Sequence, residues 1–169
     1  EDSTELTDKT KFLTVGTIEP RKNHIYVLKV FDKLWSEGVE NIEWHIAGRE
    51  GWFSNNFIMI LKYHPRINKN LFFHENLNDN DLRKLYQKSD CVIIPSIDEG
   101  YGLQVAEGLN YNCKILLSNI EIFREFNLNE NNYFSINDKG SELRSKITQY
   151  VNGENFDVQV NNANILSWR

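Results

Sequence analysis

The chain has 169 residues, 40% of them hydrophobic and 25% charged, which gives room for one domain with a proper core and excludes a disordered chain. Its net charge of −5 excludes the basic stripe of a nucleic-acid surface, although a phosphate ligand needs only local positive charge. No stretch approaches the roughly 20 apolar residues of a membrane-spanning helix, and no signal-peptide pattern opens the chain.

Residues 1–10 are polar without apolar periodicity and read as a linker. A first buried strand follows at Phe12-Leu13-Thr14-Val15 and closes on Gly16 and Thr17. After the loop Ile18 to Asn23, Ile25, Leu28, Phe31, Leu34 and Trp35 recur at helical spacing, and Gly38 suits the position just past the helix end. A second strand, Ile42 to Ala47, stops at Gly48, and Phe53 to Tyr63 reads as a helix ended by Pro65. Leu71 to His74 is a third strand. Asn78 and Asp79 suit the N-cap of a helix carrying Leu82, Leu85 and Tyr86. This capping reading also explains Asp79-Asn80-Asp81 better than a metal site does.

The fourth strand, Cys91-Val92-Ile93-Ile94, ends at Pro95 and leads into Asp98-Glu99-Gly100-Tyr101-Gly102. A helix at about 101–111 follows, with Asn112 suited to a left-handed cap, and then a fifth strand at Lys114 to Leu117. A short helical piece at Ile122–Phe126, a weak strand at Tyr133-Phe134 and a last amphipathic helix at Ser141–Tyr150 complete the reading. Cys91 and Cys113 flank apolar runs without metal or redox spacing and read as buried, reduced cysteines of a cytosolic protein. His24, His45, His64 and His74 make no ligand spacing.

Continuously apolar strands alternating with helices predict an α/β fold, a Rossmann-like parallel sheet with helices on both faces. Such sheets bind ligands at the carboxyl ends of their strands, so the loops after strands one and four are expected to face one crevice. The turn at Gly16 lacks the glycine pattern of a nicotinamide binder, and no phosphate loop ending in Lys-Ser/Thr is present.

A sugar nucleotide sets definite requirements on a site of this kind. Its diphosphate needs N–H donors and cations, its ribose diol a carboxylate, and its sugar another acceptor. Gly102 and Leu103 offer N–H groups at a helix start. Glu107, five residues beyond Gly102 and about 7–8 Å down the axis, leans back toward that end. Glu99 reaches the opposite side. Each feature also has a plainer reading: Glu107 as a solvated helix residue, Glu99 as a cap, Arg21 and Lys22 as surface charge. Against the last stands the macrodipole, which disfavours a basic pair at a helix N-terminus unless an anion sits there.

Glu99-Gly100-Tyr101-Gly102-Leu103 followed by Glu107 resembles the E-x7-E signature of the group-1, or family 4, retaining glycosyltransferases. Val15 to Asn23 resembles the opening strand and loop of that family, and Ile46-Ala47-Gly48, Asp81 to Tyr86 and Ser118 to Glu125 fall in its order. Trp168 resembles the residue before its closing helix. The resemblance implies one half of a two-domain GT-B enzyme, the C-terminal donor-binding half. The expected units are a linker at 1–10, a nucleotide-sugar-binding domain at 11–156 and the start of a return segment at 157–169. It implies that Arg21 and Lys22 hold the diphosphate, with Thr17 beside them, and that Glu99, the catalytic candidate, contacts the donor sugar. Gly100, Tyr101, Gly102 and Leu103 line the donor, and Glu107 takes the ribose.

The reaction implied is sugar transfer with retention to a saccharide or lipid-linked acceptor, with no cofactor and no metal. The Glu-Pro-Arg-Lys-Asn loop favours a GDP-mannose type of donor. Partners implied are the nucleotide sugar and an N-terminal acceptor domain, with no nucleic acid; the place is the cytoplasm, with peripheral membrane contact through the missing half. Met59 is the only methionine, so the chain is expected to be a piece of a longer protein, inactive alone. Gln104, Asn112 and Lys114 depart from the family pattern. A non-catalytic nucleotide-sugar-binding module and a nucleotide-sugar isomerase of the same architecture are the alternatives.

Overall fold

A computed structural model of the chain describes residues 8–154. Residues 1–7 and 155–169 lie outside the described part, and with them most of the expected linker and the return segment with Trp168. The strands are β1 (Thr10–Val15), β2 (Ile42–Gly48), β3 (Leu71–Glu75), β4 (Cys91–Ile94), β5 (Lys114–Ser118) and β6 (Tyr133–Phe134). The helices are α1 (His24–Ser36), α2 (Asn55–Lys62), α3 (Asp79–Gln87), α4 (Leu103–Asn110), α5 (Glu121–Arg124) and α6 (Ser141–Val151). All six described strands run parallel in the order β3-β2-β1-β4-β5-β6, so the order reverses between β1 and β4 and places the crevice above that point.

β4 is apolar and buried at all of its positions because both of its faces are covered, and β1, β2 and β5 bury apolar side chains on both faces with polar residues among them. Phe12, Trp44, Ile46, Ile93 and Leu116 point into one core with residues of α1, α2 and α6, including Phe31, Leu61 and Ile147. Leu13, Ala47, Val92, Ile94, Ile115 and Leu117 point into the other, against Tyr86, Val105 and Phe123. One buried hydroxyl joins the central strands: Thr14 donates to the Ile93 carbonyl at 3.0 Å and accepts from the Trp44 indole at 3.0 Å. Both partners of a buried polar group are thereby met inside the sheet.

Several boundaries follow the expected cap chemistry. Asn78 accepts from the Asp81 N–H at 2.9 Å, so the Asp79-Asn80-Asp81 run is part of a capped helix start. Asn112 and Gly38 take left-handed backbone at φ 56° and 88°. Others differ. The second helix starts at Asn55, not Phe53, because Phe53 sits at φ 54° with its ring 87% exposed, although its apolarity fits the helical pattern. The fourth helix starts at Leu103, not 101, because Gly102 is a left-handed N-cap at φ 64°. Pro20 to Lys22, expected as open loop, forms a 3-10 turn.

Three histidines tie stability to pH. His24 is 3% exposed, neither ring nitrogen has a partner among the described residues, and burial, helped by the Lys22 charge, lowers its pKa to about 3. His45 and His74 meet ring nitrogen to ring nitrogen at 2.9 Å, and burial lowers both. The folded state holds these rings neutral, whereas the unfolded chain protonates them below about pH 6.5. Their contribution is therefore complete above that pH and is lost as pH falls, by about 1.4 kcal/mol per pH unit for His24 alone. Urea unfolding midpoints should drop steadily from pH 6.5 to 4.5, and His24→Leu should flatten that slope. An unchanged slope would contradict the assignment.

Candidate active site

The loop after β1 is stitched to its neighbours by the backbone. Gly16 donates to the Ala47 carbonyl and Ile18 to that of Arg49, both at 2.9 Å, and Ile97 donates to the Arg21 carbonyl at 2.8 Å. The Asn23 side chain, its backbone left-handed at φ 58°, donates to the Pro95 carbonyl at 3.2 Å. The loops after β1, β2 and β4 are thus one rigid rim at the carboxyl ends of the strands. The close approach depends on Gly48: a Cβ there would lie 1.9 Å from the Gly16 carbonyl oxygen.

On this rim the structure brings Arg21, Lys22 and Glu99 together, across nearly eighty residues of chain. Lys22 is buried and forms an ion pair with the Glu99 carboxylate, which also accepts from the Ser96 hydroxyl at 2.8 Å. Ser118 in turn donates to the Ser96 carbonyl at 2.5 Å. Arg21 lies 3.5 Å from Glu99 and 2.7 Å from Glu19, with its side chain about half exposed. The basic pair is therefore not a pair of equals. Lys22 is committed to Glu99, and Arg21 is the cation open to an incoming anion. The anion that the macrodipole argument asks for beside Lys22 is in the chain itself: it is Glu99.

Gly102 is buried, and its left-handed backbone sets the loop against the rings of Phe123 and Phe126. The first N–H groups of α4, those of Leu103 and Gln104, have no acceptor among the described residues, so they point a partial positive charge outward. The side-chain carbonyl of Gln104 is also buried without a partner. Tyr101 and Leu103 are exposed. Glu107 stands on the exposed side of α4, and the Tyr86 hydroxyl donates to it at 2.8 Å. Burial, reinforced by the Glu107 charge, raises the Tyr86 phenol, so it stays a donor. Tyr86→Phe should cost about 1 kcal/mol in thermal unfolding by removing this hydrogen bond. No change in melting would mean that Glu107 is not held.

A cleft of about 430 Å³ opens above β1 and β2. Thr17 lines it with Gly16, Arg49, Asn76, Leu77 and Leu82. Leu82 lies one turn before Tyr86 on α3, the residue that donates to Glu107, although neither Tyr86 nor Glu107 lines the cleft. The lining combines apolar side chains, Leu77 and Leu82 among them, with the Arg49 guanidinium and the Asn76 amide, a mixture that suits a flat, polar-edged ring. Arg49, Asn76, Leu77 and Ser96 were not singled out by sequence reasoning, and Tyr86 was placed on its helix without a role at the site. Arg49 and Ser96 each follow a strand end, a signal that was present; Tyr86 reads only as a core residue. Arg21, Lys22 and Glu99 through Leu103 form the rim beside this cleft and do not line it. Among the described residues no group of three or more His, Cys, Asp or Glu is placed to hold a metal ion, and no helix is long and apolar enough to cross a membrane. Cys91 and Cys113 are buried free thiols, raised by burial, Cys113 to about 11.

Residues 1–165 match the family model of glycosyl transferases, group 1. The serotype-specific mannosyltransferase WbdA of Escherichia coli is 32% identical over 160 residues, which is 94% of this chain and 19% of that protein. The O-antigen chain mannosyltransferase RfbU of Salmonella typhimurium is 31% identical over 131 residues, 77% of this chain and 35% of that protein. The chain thus spans about a fifth to a third of these relatives. Among solved structures, the C-terminal domain of a glycosyl transferase group 1 family protein (LpcC) from Francisella tularensis superposes with a TM-score of 0.71 at 15% identity, covering 85% of this chain and 75% of that one. The chain belongs to the group 1, or family 4, glycosyltransferases, and its fold is that of one Rossmann-like domain of the two-domain GT-B architecture.

Proposed function

We propose that this chain is the donor-binding domain of a retaining glycosyltransferase, that its donor is of the GDP-mannose type, and that the acceptor is a saccharide or a lipid-linked saccharide of a surface polysaccharide. One observation carries the reading: the open α4 N-terminus follows Glu99 and precedes the Tyr86-held Glu107 along the chain, and the half-exposed Arg21 guanidinium lies 3.5 Å from Glu99. The diphosphate sits at the helix end with Arg21, where N–H groups and a cation meet it. Glu107 accepts from the ribose diol. The base enters the cleft past Leu82 to Arg49 and Asn76, and Thr17 closes its phosphate end. Glu99, fixed by Lys22 and Ser96, faces the sugar.

In this reading the acceptor hydroxyl forms a bond to the anomeric carbon as the bond to the diphosphate oxygen breaks. The electron pair leaves with the nucleoside diphosphate, and the hydroxyl proton passes to a phosphate oxygen on the same face. Arg21 and the α4 N–H groups stabilise the departing charge. Residues 11–156 act as the donor unit, and an N-terminal domain completes the acceptor side. The mannosyltransferase relatives support the donor sugar.

The test is product analysis of the longer protein given GDP-mannose and a saccharide acceptor. A mannosylated product with α-configuration retained is expected. An epimerised donor would point to an isomerase, and an unchanged donor that nevertheless binds would point to a non-catalytic module.

A further inference from the structure

The loop that carries Glu99 has a second side. Gly100 and Tyr101 form one wall of a cavity of about 230 Å³, and Ile122, Glu125 and Phe126 form the other. It shares no lining residue with the cleft above β1 and β2. The walls are fixed against each other, since a Cβ on the left-handed Gly102 would lie 3.0 Å from the Phe126 ring. The wall leaves open space at Gly100, where a Cβ would meet nothing within 4 Å. Tyr101 is 74% exposed, and its hydroxyl has no partner among the described residues. Neither has the Glu125 carboxylate, because the neighbouring cation, Arg124, is taken by Glu130 at 2.5 Å and by Asn119 at 2.7 Å.

Each feature narrows the ligand. A single carboxylate and no lining cation disfavour an anion, so this is not a second phosphate site. The volume lies below the roughly 300–1,000 Å³ of pockets that enclose drug-sized ligands, so it holds one ring and not a nucleotide sugar. Two aromatic rings offer flat apolar faces, and a free carboxylate accepts from two adjacent hydroxyls. A pyranose has both complements, a C–H face and vicinal hydroxyls.

We propose that this cavity is a monosaccharide subsite and that it seats the terminal sugar of the acceptor saccharide. The inference rests on the transferase reading, because Gly100 places the subsite one residue from the carboxylate assigned to the donor sugar. It also gives this domain a share in acceptor recognition beyond binding the donor.

The test is an NMR titration of the chain with methyl α-mannopyranoside, glucopyranoside and galactopyranoside, and separately with GDP. At least one pyranoside should shift Gly100, Tyr101 and Phe126 saturably. Glu125→Gln should weaken that binding about fivefold through loss of a charge-assisted hydrogen bond. Phe126→Leu, which keeps apolar packing against Gly102, should weaken it roughly threefold through loss of the aromatic face. The GDP response of Glu125→Gln should be unchanged.

No saturable shift with any pyranoside, shifts confined to the Gly16 and Arg49 cleft, or undiminished binding by both variants would each overturn the subsite. A GDP response without a pyranoside response retains the donor reading and removes the subsite. A pyranoside response without a GDP response retains a sugar site and removes the donor reading.

Discussion

Replacing Glu99 by glutamine should lower the stability of the chain by about 3 kcal/mol, a fall in melting temperature of roughly 6–12 °C for a domain of this size. The substitution keeps the shape and removes the charge that faces Lys22. Both side chains are more than nine-tenths buried, so the Lys22 ammonium would be left in the protein interior with only neutral oxygens to solvate it. Lys22→Met should cost less, because the Glu99 carboxylate keeps the Ser96 hydroxyl and has the Arg21 guanidinium 3.5 Å away. The double variant should be more stable than the sum of the two losses implies, since no uncompensated buried charge then remains. Additive losses in a double-mutant cycle would mean that the two groups do not interact and that Lys22 is free for a ligand.

Gly48→Ala should be the most damaging small substitution on the rim, at more than about 3 kcal/mol. The methyl carbon would lie 1.9 Å from the Gly16 carbonyl oxygen, a backbone atom that cannot swing aside as a flexible side chain would. Relief requires the β1 and β2 loops to part, which breaks the Gly16 to Ala47 hydrogen bond and opens the cleft that Thr17 and Arg49 line. Gly100→Ala is the matched control, with open space at its Cβ, and should stay within about 0.5 kcal/mol. Urea unfolding of the two variants measures the contrast. Equal stabilities would show that the rim is not rigid.

Much of the fold was legible because it is written locally. A strand segment buried on both faces is read from continuous apolarity, and Cys91 to Ile94 and Ile115 to Leu117 are short apolar runs of that kind. Asn78, Asn112 and Gly38 announce helix ends by chemistry that acts within a few residues. Where the reading slipped, a local rule was overridden by geometry that the pattern does not encode. Phe53 has the right polarity for the second helix, yet its backbone is left-handed and its ring faces out.

The candidate site divides along the same line. Gly102 and Leu103 at a helix start, with Glu107 behind them, could be placed because one helix sets their spacing. The burial of Lys22 against Glu99 could not, since it joins residues seventy-seven apart and depends on the strand order that makes β1 and β4 neighbours. Tyr86 carries two roles in one side chain, core filling on its ring and a hydrogen bond to Glu107 from its hydroxyl, and periodicity reports only the first.

The most direct test of the donor-site account is calorimetric titration of the chain with GDP, UDP and ADP, beside a Glu107→Ala variant. Saturable binding, strongest for GDP, is expected, weakened about tenfold or more by the loss of the ribose acceptor. Saturable binding that is indifferent to Glu107→Ala would contradict it, since the nucleotide would then lie somewhere other than between α4 and the cleft.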